Sequence, residues 1–252
     1  MSQPVLPLPE KGRVFEHQRI TGPADVDGAG LLHLHSVAGW LQDGAFADVL
    51  DAGLVESRAW VVRRTLLRVE RPPVFAEKLR VRTFCAGLAK SVAERRTSIE
   101  GDSGARIEAE AIWVQVDPET RMPTRFSDRF IAIYAESAAG RRARSSLRHP
   151  PPPAAAERID WEFRAADIDV AGHVNNAVYW QIAEQHLPAA AGGVEIEIEF
   201  RGGAVIGTAT LLRQGGILWV LDREGSVSAS VSTRPLDRQA SPRTRQTEEE
   251  SE

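Results

Sequence analysis

Residues 166–187 read ADIDVAGHVNNAVYWQIAEQHL, an acidic loop that leads into a helical pattern. Two acids, Asp167 and Asp169, precede a short Val-Ala-Gly turn, which is followed by His173 and the paired amides Asn175 and Asn176. Apolar residues then recur at helical spacing: Ala177, Val178, Trp180, Ile182, Ala183 and Leu187. The pattern predicts a helix that begins at about Asn176, because an Asn side chain can accept from the unpaired N–H groups of a first helical turn.

The order acid, turn, imidazole, helix has a chemical use. A helix N-terminus carries free N–H donors and about half a positive charge. Such a site suits a carbonyl oxygen that becomes negative when the carbonyl carbon is attacked. A carboxylate and an imidazole on the preceding loop would stand beside that carbonyl, so the stretch favours acyl transfer or hydrolysis.

The same pattern occurs twice in the chain. ADVDGAG at Ala24–Gly30 matches ADIDVAG at Ala166–Gly172, and a second helical pattern follows it. Ser36 is the predicted N-cap of that helix and Gly53 its predicted end. Its apolar face consists of Val37, Trp40, Leu41, Ala45 and Val49.

Beyond each helix the polarity alternates with a period of two, which predicts strands. In the first half these are Trp60–Val69, Leu79–Cys85, Ser91–Glu100 and Arg106–Val116, after an initial strand at Val14–Ile20. In the second half they are Val194–Phe200, Thr208–Leu212, Ile217–Leu221 and Val227–Val231. Within Val194–Phe200 the pattern predicts an apolar face turned inward and three glutamates turned outward.

Two copies of one helix-and-sheet unit follow from this order. We predict an α+β protein with a first unit at 13–136, a linker at 137–157, a second unit at 158–235 and a disordered tail at 236–252. Each unit is a long helix wrapped by an antiparallel sheet. The two sheets should join edge to edge, because this covers edges that would otherwise be exposed.

The pattern D-x-D-x-x-G-H-V-N-N-x-x-Y, from Asp167 to Tyr179, resembles the signature loop of hotdog-fold thioesterases. It is most similar to that of the plant and bacterial acyl-acyl-carrier-protein (acyl-ACP) thioesterases, which are tandem hotdogs of about this length. The resemblance implies a double hotdog that hydrolyses fatty acyl-ACP to a free fatty acid in fatty acid biosynthesis, without a cofactor. An acyl-CoA thioesterase and a non-catalytic acyl-binding protein are the alternatives.

The resemblance also assigns roles in the site. Asp169 is the predicted general base or nucleophile, and His173 orients it or the attacking water. Asn175 and Asn176 would fix the oxyanion donors, while Asp167 would support the loop, and Asp43 could reach the site from the first helix. Tyr179 and Trp180 are predicted to lie in the core or the pocket wall. The Asp27 loop is interpreted as a structural remnant.

Three positions depart from the family pattern. Ala171 stands where those enzymes have an Asn, and Gly203 and Ala204 stand where they have an acid, often beside a Cys. The non-catalytic alternative predicts the loss of such polar groups. Asp169 and His173 remain, so a mechanism with one key carboxylate is the preferred interpretation.

The composition of the chain disfavours several other classes of protein. The chain has 252 residues and a net charge of −4, which disfavours nucleic acid as a ligand. Its first residues lack a signal-peptide pattern, and no apolar run approaches the ~20 residues of a membrane span. Cys85 is the only cysteine. These observations predict a cytoplasmic protein without a membrane partner. A homodimer stays an open alternative, although the tandem architecture already supplies the pairing that single hotdogs obtain by dimerising.

Two smaller features complete the expectations. His33 and His35 form an H-x-H, but the sequence offers no evident third ligand, so no metal site is predicted. The linker carries four arginines, which could meet the acidic carrier protein, although a solvated spacer is the simpler interpretation. They are Arg141, Arg142, Arg144 and Arg148.

Overall fold

The computed structural model describes residues 6–54, 59–187 and 193–236. In the first half, strand β1 precedes helix α1, and four long strands and a short helix α2 follow. Their bounds are β1 Val14–Ile20, α1 Leu34–Asp51, β2 Ala59–Arg71, β3 Lys78–Leu88, β4 Val92–Gly101, β5 Arg106–Val116 and α2 Asp128–Ala138.

The second half repeats this order on a smaller scale. It consists of β6 Glu157–Phe163, α3 Val178–His186, β7 Val194–Phe200, β8 Gly207–Gln214, β9 Ile217–Leu221 and β10 Val227–Pro235. The predicted strands at 14–20, 106–116, 194–200 and 217–221 have the observed bounds, and the others differ from their predicted bounds by a few residues. The predicted tail from 237 lies outside the described residues, and the predicted unit bounds stay a prediction.

All ten strands form one antiparallel sheet in the order β1-β3-β4-β5-β2-β7-β10-β9-β8-β6. The two halves meet at β2 and β7, which pair from Arg64↔Glu199 to Val69↔Val194. The predicted edge-to-edge joining of two sheets is therefore confirmed. Within the described residues, this pairing leaves β1 and β6 as the edges of the sheet.

Helices α1 and α3 contact each other and lie on one face of the sheet. Trp40 of α1 and Trp180 of α3 are buried in a single core with strand residues such as Leu67 and Ile198. Because side chains alternate along a strand, the helix-facing positions of β7 are Ile196, Ile198 and Phe200. The core thus bridges both halves and holds the two helix N-termini at fixed places.

The glutamates of β7 correct one prediction, because they do not face solvent. Glu199 is 0% exposed and Glu195 is 4% exposed. Glu195 pairs with Arg68 at 2.6 Å, and Glu199 pairs with Arg201 at 2.9 Å. The segment between the halves covers the second face of β7, so these carboxylates are buried with cationic partners.

The segment between the halves provides that cover. Residues 139–156 form no helix or strand, yet residues 146–150 contact side chains on the face of the sheet opposite the helices. The His149 N–H donates to Glu199, and the Trp219 indole N–H donates to the Pro150 carbonyl at 2.8 Å. Arg141 donates to the carbonyls of Ala86 and Ser137. This stretch is therefore docked, not a solvated spacer.

Helix α2 was not predicted. Its signals are local: Ser127 caps it by accepting from the Phe130 N–H at 3.2 Å, and Phe130 and Tyr134 form its buried face. These side chains join Cys85 and Ala93 in a second, smaller core beside β3 and β4. The helix closes one end of the space between α1 and the first-half sheet.

Candidate active site

The two acidic loops share one backbone hydrogen-bond pattern, so the sequence repeat is also a structural repeat. In the second half, the Asp169 N–H donates to the His173 carbonyl at 2.9 Å, and the Gly172 N–H donates to the Asp169 carbonyl at 3.0 Å. In the first half, Asp27 holds the same place, with bonds of 2.8 and 3.0 Å. Gly172 has φ +76°, a left-handed conformation that favours glycine, and its counterpart has φ +78°.

Asp169 presents one free carboxylate oxygen at this loop. Its Oδ1 accepts from the Ala171 N–H at 2.8 Å, which fixes the side chain on the loop. Among the described residues, none donates a hydrogen bond to Oδ2. The side chain is half-buried, so water and a substrate can both reach it. This is the arrangement that a general base or a nucleophile requires.

Asp167 has a different environment, because both of its oxygens are engaged by Arg164. The Arg164 backbone N–H donates to Oδ2 at 2.8 Å and its guanidinium donates to Oδ1 at 2.8 Å. Burial raises the pKa of Asp167, but the hydrogen bonds and charge of Arg164 outweigh burial and lower this pKa below its ordinary value. Asp167 is therefore held as an ionised group by Arg164, and its supporting role in the loop stays a prediction.

His173 packs directly on Gly203, in the loop that follows β7. A Cβ on Gly203 would lie 2.5 Å from His173 Cδ2 and 2.8 Å from its Cγ. The neighbouring Ala204 carbonyl accepts from the Val174 N–H at 2.8 Å, which holds the two loops together. Gly203, which departs from the family pattern, therefore leaves room for the imidazole of His173.

Helix α3 begins later than predicted. The helix starts at Val178 with Ala177 as its N-cap residue, and Asn176 makes no side-chain cap. Asn175 does the capping instead: its Oδ1 accepts from the Ala177 N–H at 2.8 Å and its carbonyl accepts from the Val178 N–H at 2.9 Å. The Asn176 backbone N–H has no acceptor among the described residues, so it is free to donate to a bound group.

The first half contributes Gln42 to the site. Its Nε2 donates to Asn175 Oδ1 at 3.1 Å, across 133 residues of sequence. The neighbouring Asp43, which the sequence suggested, lies elsewhere: its carboxylate bonds Arg19 at 2.5 Å and is largely exposed. Adjacent residues on a helix point in different directions, so only one of the two can face α3. The candidate site therefore includes residues from both halves, which the side-chain amide of Gln42 links.

Two further residues lie where the sequence predicts. Tyr179 and Trp180 are each 1% exposed and belong to the core. Burial raises the pKa of the Tyr179 phenol above its ordinary value. Cys85 is buried in the smaller core, and burial raises the pKa of its thiol to about 11. A thiol held neutral in this way is a poor nucleophile.

An apolar cavity of about 150 Å³ lies between α1 and the sheet of the first half. Ala45, Phe46 and Val49 of α1 form one wall, and Trp60 and Trp113 lie on the sheet side. Phe130 of α2 also lines it, and so does Gln42. Since Gln42 also bonds Asn175, one residue joins this cavity to the N-terminus of α3.

The comparisons with known proteins agree with this geometry. The model of the acyl-ACP thioesterase N-terminal domain matches residues 12–134, and the model of the C-terminal domain matches residues 152–196. An uncharacterised protein of Mycobacterium tuberculosis is 27% identical over 197 residues, which are 77% of this chain and 79% of that protein. No described helix is long and apolar enough to span a membrane.

Solved structures show the fold. A putative oleoyl thioesterase of Lactobacillus plantarum superposes with a TM-score of 0.72 at 18% identity, covering 92% of this chain and all of that one. The 12:0-ACP thioesterase of Umbellularia californica superposes with a TM-score of 0.71 at 18% identity, covering 88% and 98%. Both confirm the predicted tandem hotdog. With its two domain models matched in order along the chain, the protein belongs to the acyl-ACP thioesterase family and is a thioester hydrolase.

Proposed function

We propose that Asp169 is the catalytic carboxylate of this thioesterase and that the reaction releases a fatty acid from acyl carrier protein. The observation that carries the proposal is its uncommitted Oδ2, held on a fixed loop beside His173 and the N-terminus of α3. Asp167 and Asp43 are each engaged by an arginine, so neither offers a comparable oxygen. Of the acidic and imidazole groups that the sequence nominates for this site, Asp169 and His173 remain.

The chemistry follows from these positions. As a general base, Asp169 accepts a proton from a water molecule while the water oxygen bonds to the thioester carbon. The Asn176 N–H and the positive end of α3 stabilise the negative oxygen that forms on the former carbonyl. The C–S bond then breaks, and the departing thiolate takes the proton from Asp169. Direct attack by Asp169 on the same carbon is the second route, in which water resolves an anhydride.

His173 acts in this scheme by position. Its ring is wedged against Gly203, and its backbone carbonyl accepts from the Asp169 N–H. The imidazole can therefore orient the attacking water toward the thioester carbon without moving from its place. His173 would thus replace the acid that related enzymes carry after β7. At that position this chain has Gly203, because any side chain there would overlap the imidazole.

The acyl chain would occupy the apolar cavity behind Gln42. Burying each methylene contributes roughly 0.8 kcal/mol, so the cavity's depth sets which chain lengths are preferred. The carrier protein itself is acidic, and Arg142, Arg144 and Arg148 are exposed on the segment between the halves, where they could meet it. Because Gln42 and Asn175 come from different halves of one chain, no second copy is needed to complete the site. We place the reaction in cytoplasmic fatty acid biosynthesis.

Free-thiol release from acyl-ACP and acyl-CoA panels of matched chain lengths tests the proposal. We expect turnover on acyl-ACP with a kcat/KM above that on acyl-CoA. A higher kcat/KM on acyl-CoA would favour the acyl-CoA thioesterase alternative. Binding of acyl-ACP without thiol release from any chain length would favour the acyl-binding protein that Ala171, Gly203 and Ala204 leave open.

A further inference from the structure

The H-x-H of the first helix acquires a third potential ligand in the folded chain. His33 stands just before α1 and His35 lies in its first turn, while Glu184 lies near the end of α3. His33 Nδ1 is 3.5 Å from Glu184 Oε1, and His35 Nδ1 is 3.3 Å from Oε2. Glu184 follows His35 by 149 residues, which is why the sequence alone offered no third ligand.

These three side chains, the His33–His35–Glu184 cluster, have the spacing of a metal site. Their ligand atoms all lie within 4.8 Å of one another. Ligand atoms about 2.0–2.1 Å from a tetrahedral zinc ion are themselves roughly 3.4 Å apart. The two measured nitrogen–oxygen distances, 3.5 and 3.3 Å, are close to that separation. Each side chain is between a quarter and a third exposed, so an ion can enter from solvent.

The charges around the cluster also favour a cation. Among the described residues, no lysine or arginine lies within 4 Å of the Glu184 carboxylate, whose neighbours are the two imidazoles. The Leu34 backbone N–H donates to Glu184 Oε1 at 2.6 Å and orients the carboxylate. The imidazole rings of His33 and His35 stack with centroids 4.8 Å apart, which keeps the Nδ1 atoms of both rings beside the Glu184 carboxylate.

A second His-and-Glu cluster on the opposite face of the sheet shows the contrast. There, His149 lies beside Glu197 and Glu199, again within metal-binding reach. Its two ring nitrogens are already 2.9 and 3.0 Å from serine hydroxyls. Arg201 bonds Glu199, and Arg64 lies 3.6 Å from Glu197. The negative charges of those carboxylates are already compensated by arginines, so that cluster is a poorer candidate for a metal ion.

We propose that the His33–His35–Glu184 cluster binds one zinc ion per chain and thereby ties α1 of the first half to α3 of the second. Two imidazole nitrogens and one carboxylate suit zinc, whereas magnesium and calcium prefer sites made of oxygens. Three protein ligands leave the fourth position of a tetrahedral ion for water or another ligand. His33 and Glu184 also line a cavity of about 730 Å³ that the Asp27 loop borders. The site is separate from Asp169 and does not depend on the proposed hydrolysis mechanism.

Zinc titration of tag-free, chelator-treated protein against a chromophoric zinc indicator tests this proposal, with thermal unfolding as a second readout. We expect one zinc per chain and a Tm that rises by roughly 5–10 °C at a hundredfold excess of zinc over its Kd. Magnesium at the same concentration should leave Tm unchanged. Wild-type protein that binds no zinc, or an equal Tm rise with magnesium, would overturn the proposal.

Variants locate the ion. The double variant His33→Gln/His35→Gln and the single variant Glu184→Gln should each weaken zinc binding at least tenfold and lose the Tm rise. The amide oxygen that Glu184→Gln introduces can still accept from the Leu34 N–H, so this variant should fold. His186→Gln, on the same helix but outside the cluster, is the matched control and should bind zinc like the wild type. Undiminished zinc binding in the two cluster variants would place the ion elsewhere and refute the proposal.

Discussion

Gly203 gives the sharpest test of how the site is built. A methyl group at this position would lie 2.5 Å from His173 Cδ2, whereas carbon atoms in contact are normally about 3.5–4.0 Å apart. The imidazole must therefore move by about 1 Å. The same Cβ would lie 2.8 Å from Cγ, at the base of the ring, so rotation of the ring about its own axis cannot relieve the overlap.

A displacement of about 1 Å in a positioned group can lower a rate by about 10²-fold, which corresponds to about 2.7 kcal/mol. We therefore expect Gly203→Ala to reduce kcat/KM on acyl-ACP by about two orders of magnitude, mainly through kcat. Gly202→Ala is the matched control, because a Cβ there meets nothing within 4 Å, and it should retain wild-type activity. Circular dichroism and Tm measured on both variants verify that each is folded.

A double-mutant cycle separates the imidazole from a general disturbance of the loop. His173→Ala removes the ring that the new methyl group would strike, so Gly203→Ala should cost little more in that background. If the two losses simply multiply, or if Gly203→Ala alone keeps wild-type kcat/KM, then the contact between this glycine and His173 does not position a functional group.

Three further perturbations follow from the same contacts. Gln42→Ala should lower kcat/KM by about 5–10-fold, since Asn175 then loses a hydrogen bond that the cavity wall provides; unchanged kinetics would remove Gln42 from the site. Trp113→Ala should enlarge the cavity and shift the acyl-ACP preference to longer chains, by up to roughly fourfold in kcat/KM per added methylene, and an unshifted chain-length profile would place the acyl chain elsewhere. The pKa of Asp167 is lowered by folding, so its stabilising contribution is present above the unfolded value near 4 and is lost as pH falls through the folded value. Urea unfolding of Asp167→Asn should accordingly show a smaller loss of stability below about pH 4 than the wild type, and equal pH slopes would contradict this.

The fold follows largely from local patterns in the sequence. The alternation in Val194–Phe200 gives the bounds of β7, and the repeated acidic loops have matching hydrogen bonds around Asp27 and Asp169. The burial of Glu199 could not be predicted, because its cover comes from the segment between the halves. Alternation identifies which residues share a face, but not whether another part of the chain lies on that face.

The candidate site was predictable only within its own loop. Asp169, His173 and Asn175 are close in sequence, so one motif nominates all three. The helix start was wrong by two residues because either of two adjacent Asn residues could cap it, and helix ends depend on such local competition. Gln42 lies 133 residues from its partner, and the sequence suggested its neighbour Asp43 instead. Side-chain direction on α1 decides between those two, and only the packing of α1 against α3 sets that direction.

Asp169→Asn, compared with Asp27→Asn, tests whether the second-half carboxylate performs the hydrolysis. Both acids accept the backbone N–H two residues ahead at 2.8 Å, and an asparagine oxygen can keep that bond. Asp27 Oδ1 also accepts the Leu31 N–H at 2.9 Å, a bond that an asparagine oxygen can keep as well, so the two variants make the same chemical change on matching loops. We expect Asp169→Asn to lower kcat for acyl-ACP hydrolysis by about 10²–10⁴-fold, while Asp27→Asn stays within about threefold of the wild type. Comparable activity in the two variants, whether both retained or both lost, would contradict a mechanism in which the second-half carboxylate performs the hydrolysis.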